Sequence, residues 1–230
     1  MRHWTTSTAI EVLDDHLVVV KRRAPAASLH DTGARPARLG PDHIRRRTEA
    51  EAAWLLAAQG HAVVPVRTVD PEVGSLTTDL AGVHTLRTML RRSPPSDKDE
   101  LQTLAALLAT VASTIGGLHR CGLVHGKVTL DHVILTGSAL RDPVLCSPAS
   151  RPGNETGGRV RAADDPLIDV EALAKITANI DPGVGRHARR WQRSLADIEA
   201  TVPNLGISGL ATILDDLAGN KTRPRRSTAW

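Results

Sequence analysis

Residues 122–135, GLVHGKVTLDHVIL, place His125, Lys127, Asp131 and His132 in one loop, between an uncharged helical run and a short strand rich in β-branched residues. Imidazole, ammonium and carboxylate are the groups that move protons or hold phosphate and metal. A lysine side chain ordinarily titrates near about 10.4. At neutral pH it can therefore pair with a phosphate but cannot take a proton from a hydroxyl. Service as a base would require burial or neighbouring cations to depress it by about three units, and a nearby carboxylate such as Asp131 works against that. His132, beside a buried strand, reads more simply as a hydrogen-bonded loop residue than as a metal ligand. A second constellation starts at VVVK, residues 18–21, where a strand ends in Lys21, and continues at Glu51 in the helix that follows. That pair is either a phosphate-binding clamp or a salt bridge tying a helix to a sheet.

The elements that must position these groups are legible from pattern. Residues 7–23 alternate or cluster β-branched residues around an Asp-Asp-His turn, predicting a hairpin that ends near Lys21. Residues 24–42, rich in Ala, Pro, Gly and Arg, predict a long basic loop. Between 21 and 47 there are eight Lys or Arg against Asp31 and Asp42. Residues 43–58 predict a helix with apolar positions at Ala53, Trp54, Leu55 and Leu56, stopped by Gly60. Two short strands, one containing Val63-Val64, follow around an Asp-Pro turn. After Gly82 helices dominate: 83–92, then 100–119, then segments near 167–180, 184–201 and 207–218. A strand pair, HVILT and VLCS, separates the second of these from a Gly-rich stretch. Residues 101–118 carry no charge for eighteen positions, long enough for a membrane span. Their Gln, Thr, Ser and paired Gly favour a buried helix of a soluble domain instead.

Composition narrows the function classes. The chain has 230 residues, enough for one domain or two packed lobes, and four Trp with no Phe or Tyr. The missing aromatics remove the stacking platforms of single-strand nucleic-acid binders but leave phosphate-backbone binding open. The net charge of +4 is mildly basic. Basic clusters at 45–47, 186–193 and in the RPRR tail raise an anionic-partner reading, although a charge run is usually a solvated face. Trp191, among those arginines, is expected in the core. Cys121 and Cys146 have neither metal-knuckle spacing nor the number needed for a disulfide framework, and Cys146 reads as a small apolar residue in a strand. With no apolar signal core at the N-terminus, a cytoplasmic protein without a transmembrane segment is expected.

The order of these landmarks resembles the protein-kinase-like superfamily, in particular its bacterial and aminoglycoside-phosphotransferase-like branches, whose catalytic loop begins His-Gly. The resemblance implies an α+β, bilobal protein-kinase-like fold with a reduced N-lobe sheet and a helical C-lobe. Its N-lobe is 1–81 with the basic loop 24–42, its C-lobe is 82–220, and 221–230 is a basic, disordered tail. It implies that Lys21 is the phosphate-binding lysine and Glu51, rather than Glu49, its helix partner. It further implies that His125 and Asp169 brace the catalytic loop and that SLTTDLAG leads into the hinge. It also marks departures. Lys127 stands where the family has its catalytic Asp, His132 where it has the metal-binding Asn, and Ser147 where it has the metal-binding Asp. No glycine-rich loop precedes Lys21.

The expectation is a catalytically inactive pseudokinase: a regulatory scaffold for a protein partner, with no metal and no obligate cofactor, in which ATP without Mg²⁺ or another anion stays open as a ligand. An atypical kinase acting on a small molecule or protein is the alternative, and a basic nucleic-acid-binding regulator the second. The sequence leaves partner and oligomeric state undetermined.

Overall fold

The structure is a computed structural model and describes residues 4–25, 41–137, 141–149, 165–182 and 186–219. Most of the basic loop, the Gly-rich stretch after residue 149 and the tail 221–230 lie outside the described residues. The fold is mixed α+β with two antiparallel sheets, and it divides into two compact units. One comprises Met1–Ala81 and Cys146–Ala163, the other Gly82–Leu145 and Asp164–Trp230. Of the expected second lobe, 82–220, the described residues 146–149 group with the first unit, where the Ser147 hydroxyl lies 3.4 Å from the Lys21 ammonium.

In the first unit β1 (Trp4–Leu13) and β2 (His16–Pro25) form a hairpin that runs past Lys21. Its turn residues Asp14 and Asp15 both have positive φ, 48° and 62°, as a two-residue turn matched to strand twist requires. Short polar side chains are the non-glycine residues that tolerate this conformation best. With β3 (Val66–Asp70) and β4 (Ser75–Asp79) the hairpin makes a sheet of order β1-β2-β4-β3. Val63 and Val64 are buried but are not a strand. The ladder begins only after Pro65, which has no N–H to contribute.

Helix α1 (Pro41–Ala57) packs on β3 and β4. Its buried stripe is Ile44, Thr48, Glu51, Leu55 and Ala58, at alternating spacings of four and three. Of the four apolar positions expected to line the core, Ala53 and Leu56 are exposed and Trp54 is half-buried; Leu55 alone is buried. Gly74, in the turn between β3 and β4, has φ +69°, and a Cβ there would lie 2.5 Å from Ile44 Cγ2 and 2.9 Å from the Arg23 carbonyl oxygen.

In the second unit β5 (His84–Thr85), β6 (Val133–Thr136) and β7 (Asp142–Leu145) form a sheet in that order. Residues 83–92 are thus not all helix. His84 and Thr85 pair with Leu135 and Ile134, and Thr85 then caps α2 (Leu86–Arg92) in a capping box with Thr88. Cys146 lies just beyond β7 rather than within it.

Helix α3 (Lys98–Arg120) begins two residues before the expected position because Asp97 accepts the Glu100 N–H at 2.9 Å. Glu100 reaches back to the Ser96 N–H and hydroxyl, at 2.7 and 2.8 Å, and these bonds hold its carboxyl below its ordinary value. By length and composition α3 is apolar enough to cross a membrane, but 67% of its most apolar window is buried within the protein. It packs against α4 (Leu167–Ala178) and α5 (Arg186–Leu217). Helix α5 is broken at Gly206, which adopts φ 59° and ψ −170°. Trp191 is 2% exposed, in the core as expected despite its arginine neighbours.

Gly74→Ala is expected to lower stability by about 2–4 kcal/mol, combining left-handed strain with overpacking. Gly60→Ala, also at positive φ but with open space around the new Cβ, should cost less. Denaturant midpoints of the two variants against wild type check the order.

Candidate functional site

The sequence-predicted residues fall into two clusters, one in each unit. In the first, Lys21 and Arg23 sit two residues apart and leave β2 on one face, the face served by the polar segment of the α1 stripe. Lys21 Nζ donates to Glu51 Oε1 at 2.7 Å. Glu51 Oε2 is bound by the Arg23 guanidinium, whose Nη1 also donates to Thr48 Oγ1 at 2.8 Å. Glu49, between Thr48 and Glu51 but off the stripe, is exposed.

Arg23 is the residue that sequence reasoning missed, and it changes the electrostatics of the pair. Its side chain is 7% exposed and that of Glu51 is 3% exposed, whereas that of Lys21 is 21% exposed. Glu51 is neutralised by Arg23 in the interior, so the Lys21 ammonium is additional. The cluster carries two cations and one carboxylate, a net surplus of one positive charge. Ser147, with φ 54°, presents its hydroxyl to that ammonium at 3.4 Å. The signal was present in the sequence: the 44/48/51/55/58 spacing turns Glu51 inward, and a buried carboxylate demands a buried cation on the facing strand.

The second cluster is built on Asp169, in the first turn of α4 and fully buried. Its Oδ1 accepts the Gly126 N–H at 2.7 Å and its Oδ2 the His125 N–H at 2.8 Å. His119, near the end of α3, donates Nε2–H to the same Oδ2 at 3.0 Å. Gly126 has φ +68°, the left-handed conformation that lets two successive amides converge on one carboxylate. His125 is fully buried and accepts the Lys127 N–H at Nδ1, 3.3 Å away, so its proton is on Nε2. His119 is the second missed residue. A histidine at the end of an apolar helix carries no sequence mark that ties it to a carboxylate fifty positions on.

Around this brace the remaining groups are placed outward or engaged elsewhere. Lys127 is exposed. His132 donates Nδ1–H to the Lys127 carbonyl at 2.7 Å, with the Thr129 hydroxyl 3.0 Å from the same nitrogen, so the ring closes the loop on itself. Asp131 does not serve Lys127 as expected. It accepts Arg87 Nε at 2.7 Å, and that hydrogen bond, with the attraction between the two charges, raises the Arg87 guanidinium further above its ordinary range. Among the described residues no group of three or more His, Cys, Asp or Glu could hold a metal ion.

No protein-family model matches this sequence, and no curated protein is significantly similar to it.

Chemically, the first cluster offers a half-buried ammonium and a hydroxyl to an anion. The second offers a rigid loop with an exposed ammonium. Asp169→Ala orphans three donors and should cost roughly 1–3 kcal/mol for each that stays buried. Asp169→Asn, which keeps one acceptor oxygen, should cost less, and Lys127→Ala should fall within about 0.5 kcal/mol of wild type. Chemical denaturation of the three variants checks this ranking. In the first unit, Glu51→Ala strands Arg23 and should cost about 3–5 kcal/mol. Lys21→Ala leaves the Glu51–Arg23 pair intact, so its denaturant midpoint should lie much closer to wild type.

Proposed function

We propose that the chain is a kinase-like regulatory scaffold that binds a protein partner and does not transfer phosphate, its two units being the reduced sheet lobe and the helical lobe of a bilobal kinase-like fold. The observation that carries this reading is the fully buried Asp169 clamping the amides of His125 and Gly126 while the next residue presents an exposed lysine. A loop held this firmly is organised for something, and an ammonium has three donors and no acceptor with which to receive a hydroxyl proton.

The other departures point the same way. Mg²⁺ prefers hard oxygen ligands. His132 has an imidazole whose Nδ1–H is spent on its own loop, and Ser147 a hydroxyl engaged with Lys21. The hairpin turn before Lys21 consists of Asp14 and Asp15, whose carboxylates repel a phosphate where the resemblance calls for glycine amides that cradle one. The surplus positive charge at Lys21 supports a retained anion or nucleotide site that needs no metal. A reducing, cytoplasmic setting suits Cys121 and Cys146, which are in no disulfide.

Thermal unfolding with ATP tests the reading. At about a hundred times the dissociation constant a ligand adds about 2.7 kcal/mol of stability. Any ATP-dependent rise in melting temperature is expected to persist with chelator and to vanish in Lys21→Ala. A rise that requires Mg²⁺ would contradict the proposal. Lys127→Asp alone should release no phosphate and show no autophosphorylation above wild type, because a base supplies only about 10²- to 10⁴-fold and the metal and phosphate contacts supply much of the rest. Metal-dependent turnover by that variant would mean that one residue had silenced an otherwise complete enzyme.

A further inference from the structure

Helix α5 opens with RHARRWQR, residues 186–193, and its two faces have different fates. Ala188, Trp191 and Ile198 are buried, which commits one face to the core. Arg186, Arg189 and Arg193, at spacings of three and four, lie within about 60° of arc on the other face. All three are exposed. Along them runs an open cavity of about 680 Å³, lined among the described residues by Arg186, Arg189, Gln192, Arg193 and Ala196. Arg193 spends its Nε on the Arg189 carbonyl at 3.3 Å, and none of the three guanidiniums has a carboxylate partner among the described residues. Three other surface arginines do find acceptors: Arg22 binds Glu11, Arg87 binds Asp131 and Arg190 binds the Asp216 carbonyl.

We propose that this face of α5 binds the phosphate backbone of a nucleic-acid duplex without reading its sequence. The stripe from Arg186 to Arg193 is about 10 Å long, the length over which one duplex strand presents about three phosphates. Planar guanidiniums match phosphate oxygens bidentately, and Gln192 adds a neutral donor among them. The protein has no Phe or Tyr and Trp191 is buried, so this face has no aromatic platform for unstacked bases, which favours a duplex over a single strand. A lipid surface fits less well. The apolar side of α5 is used inside the protein, and the lining of the arginine face holds nothing larger than Ala196 to insert among acyl chains.

The test is fluorescence anisotropy of a labelled short DNA duplex of arbitrary sequence, titrated with the full chain at several salt concentrations. Three phosphate contacts predict that affinity falls about 40-fold between about 50 mM and about 200 mM salt. The triple variant Arg186→Gln, Arg189→Gln, Arg193→Gln should bind at least about tenfold more weakly at low salt and lose about 2.7 from the log–log salt slope. Arg186→Lys, Arg189→Lys, Arg193→Lys should retain most of the slope, and Arg46→Gln, Arg47→Gln on α1 should bind as wild type. Far-ultraviolet circular dichroism of each variant establishes that it is folded. No binding by wild type at low salt, an unchanged slope in the glutamine variant, tighter binding to a single strand of the same sequence, or preferential binding to vesicles of phosphatidylcholine and phosphatidylserine would each overturn the assignment.

Discussion

The Asp169 carboxylate is fully buried, and an ionised carboxylate taken out of water costs several kcal/mol unless hydrogen bonds and charge replace the lost solvent. The second unit is arranged to meet that demand. The end of α3 supplies His119, the loop after it supplies two consecutive amides, and the left-handed Gly126 lets those amides point the same way. The end of α3 and the loop after it are thereby fixed to a carboxylate more than forty residues further along the chain. The loop conformation follows from the carboxylate, and the outward placement of Lys127 follows from the loop.

The first unit solves the same problem with charge instead of amides. Glu51 interrupts an otherwise largely apolar helix stripe, and Arg23 with Thr48 completes it. Because Arg23 is the more deeply buried cation, Lys21 is left with an exposed fraction and a hydroxyl neighbour. A cluster of two cations and one carboxylate is poised toward anions without any change of conformation. This charge balance connects the packing of a helix on a sheet to the anion site we propose there.

The absence of Phe and Tyr shapes both units and the chemistry of the surface. Leu, Ile, Val and Ala fill the cores, and α3 supplies much of the buried area from its uncharged run, residues 101–118. That is why a core helix has the length and composition of a membrane span. The same scarcity leaves arginine as the principal recognition chemistry on the outward face of α5.

Element types were legible in the sequence because they depend on local periodicity: the hairpin, the α1 helix, the uncharged run of α3 and the strand pair after the His-Gly loop all follow from spacing and turn chemistry. Glu51 and Asp169 were singled out by the family resemblance, and both are buried. What the sequence could not assign were partners. Arg23 and Arg22 are adjacent and chemically identical, yet strand alternation buries one against Glu51 and leaves the other exposed with Glu11. Asp131 is four residues from Lys127 but bonds to Arg87, and His119 meets Asp169 across fifty positions. The strand that does not form at Val63-Val64 and the grouping of residues 146–149 with the first unit have the same origin. Sequence alone determined which elements form, because periodicity and turn chemistry are properties of neighbouring residues. Only the tertiary structure decided which buried charge meets which donor, because that pairing depends on the three-dimensional approach of segments whose separation along the chain carries no geometric information.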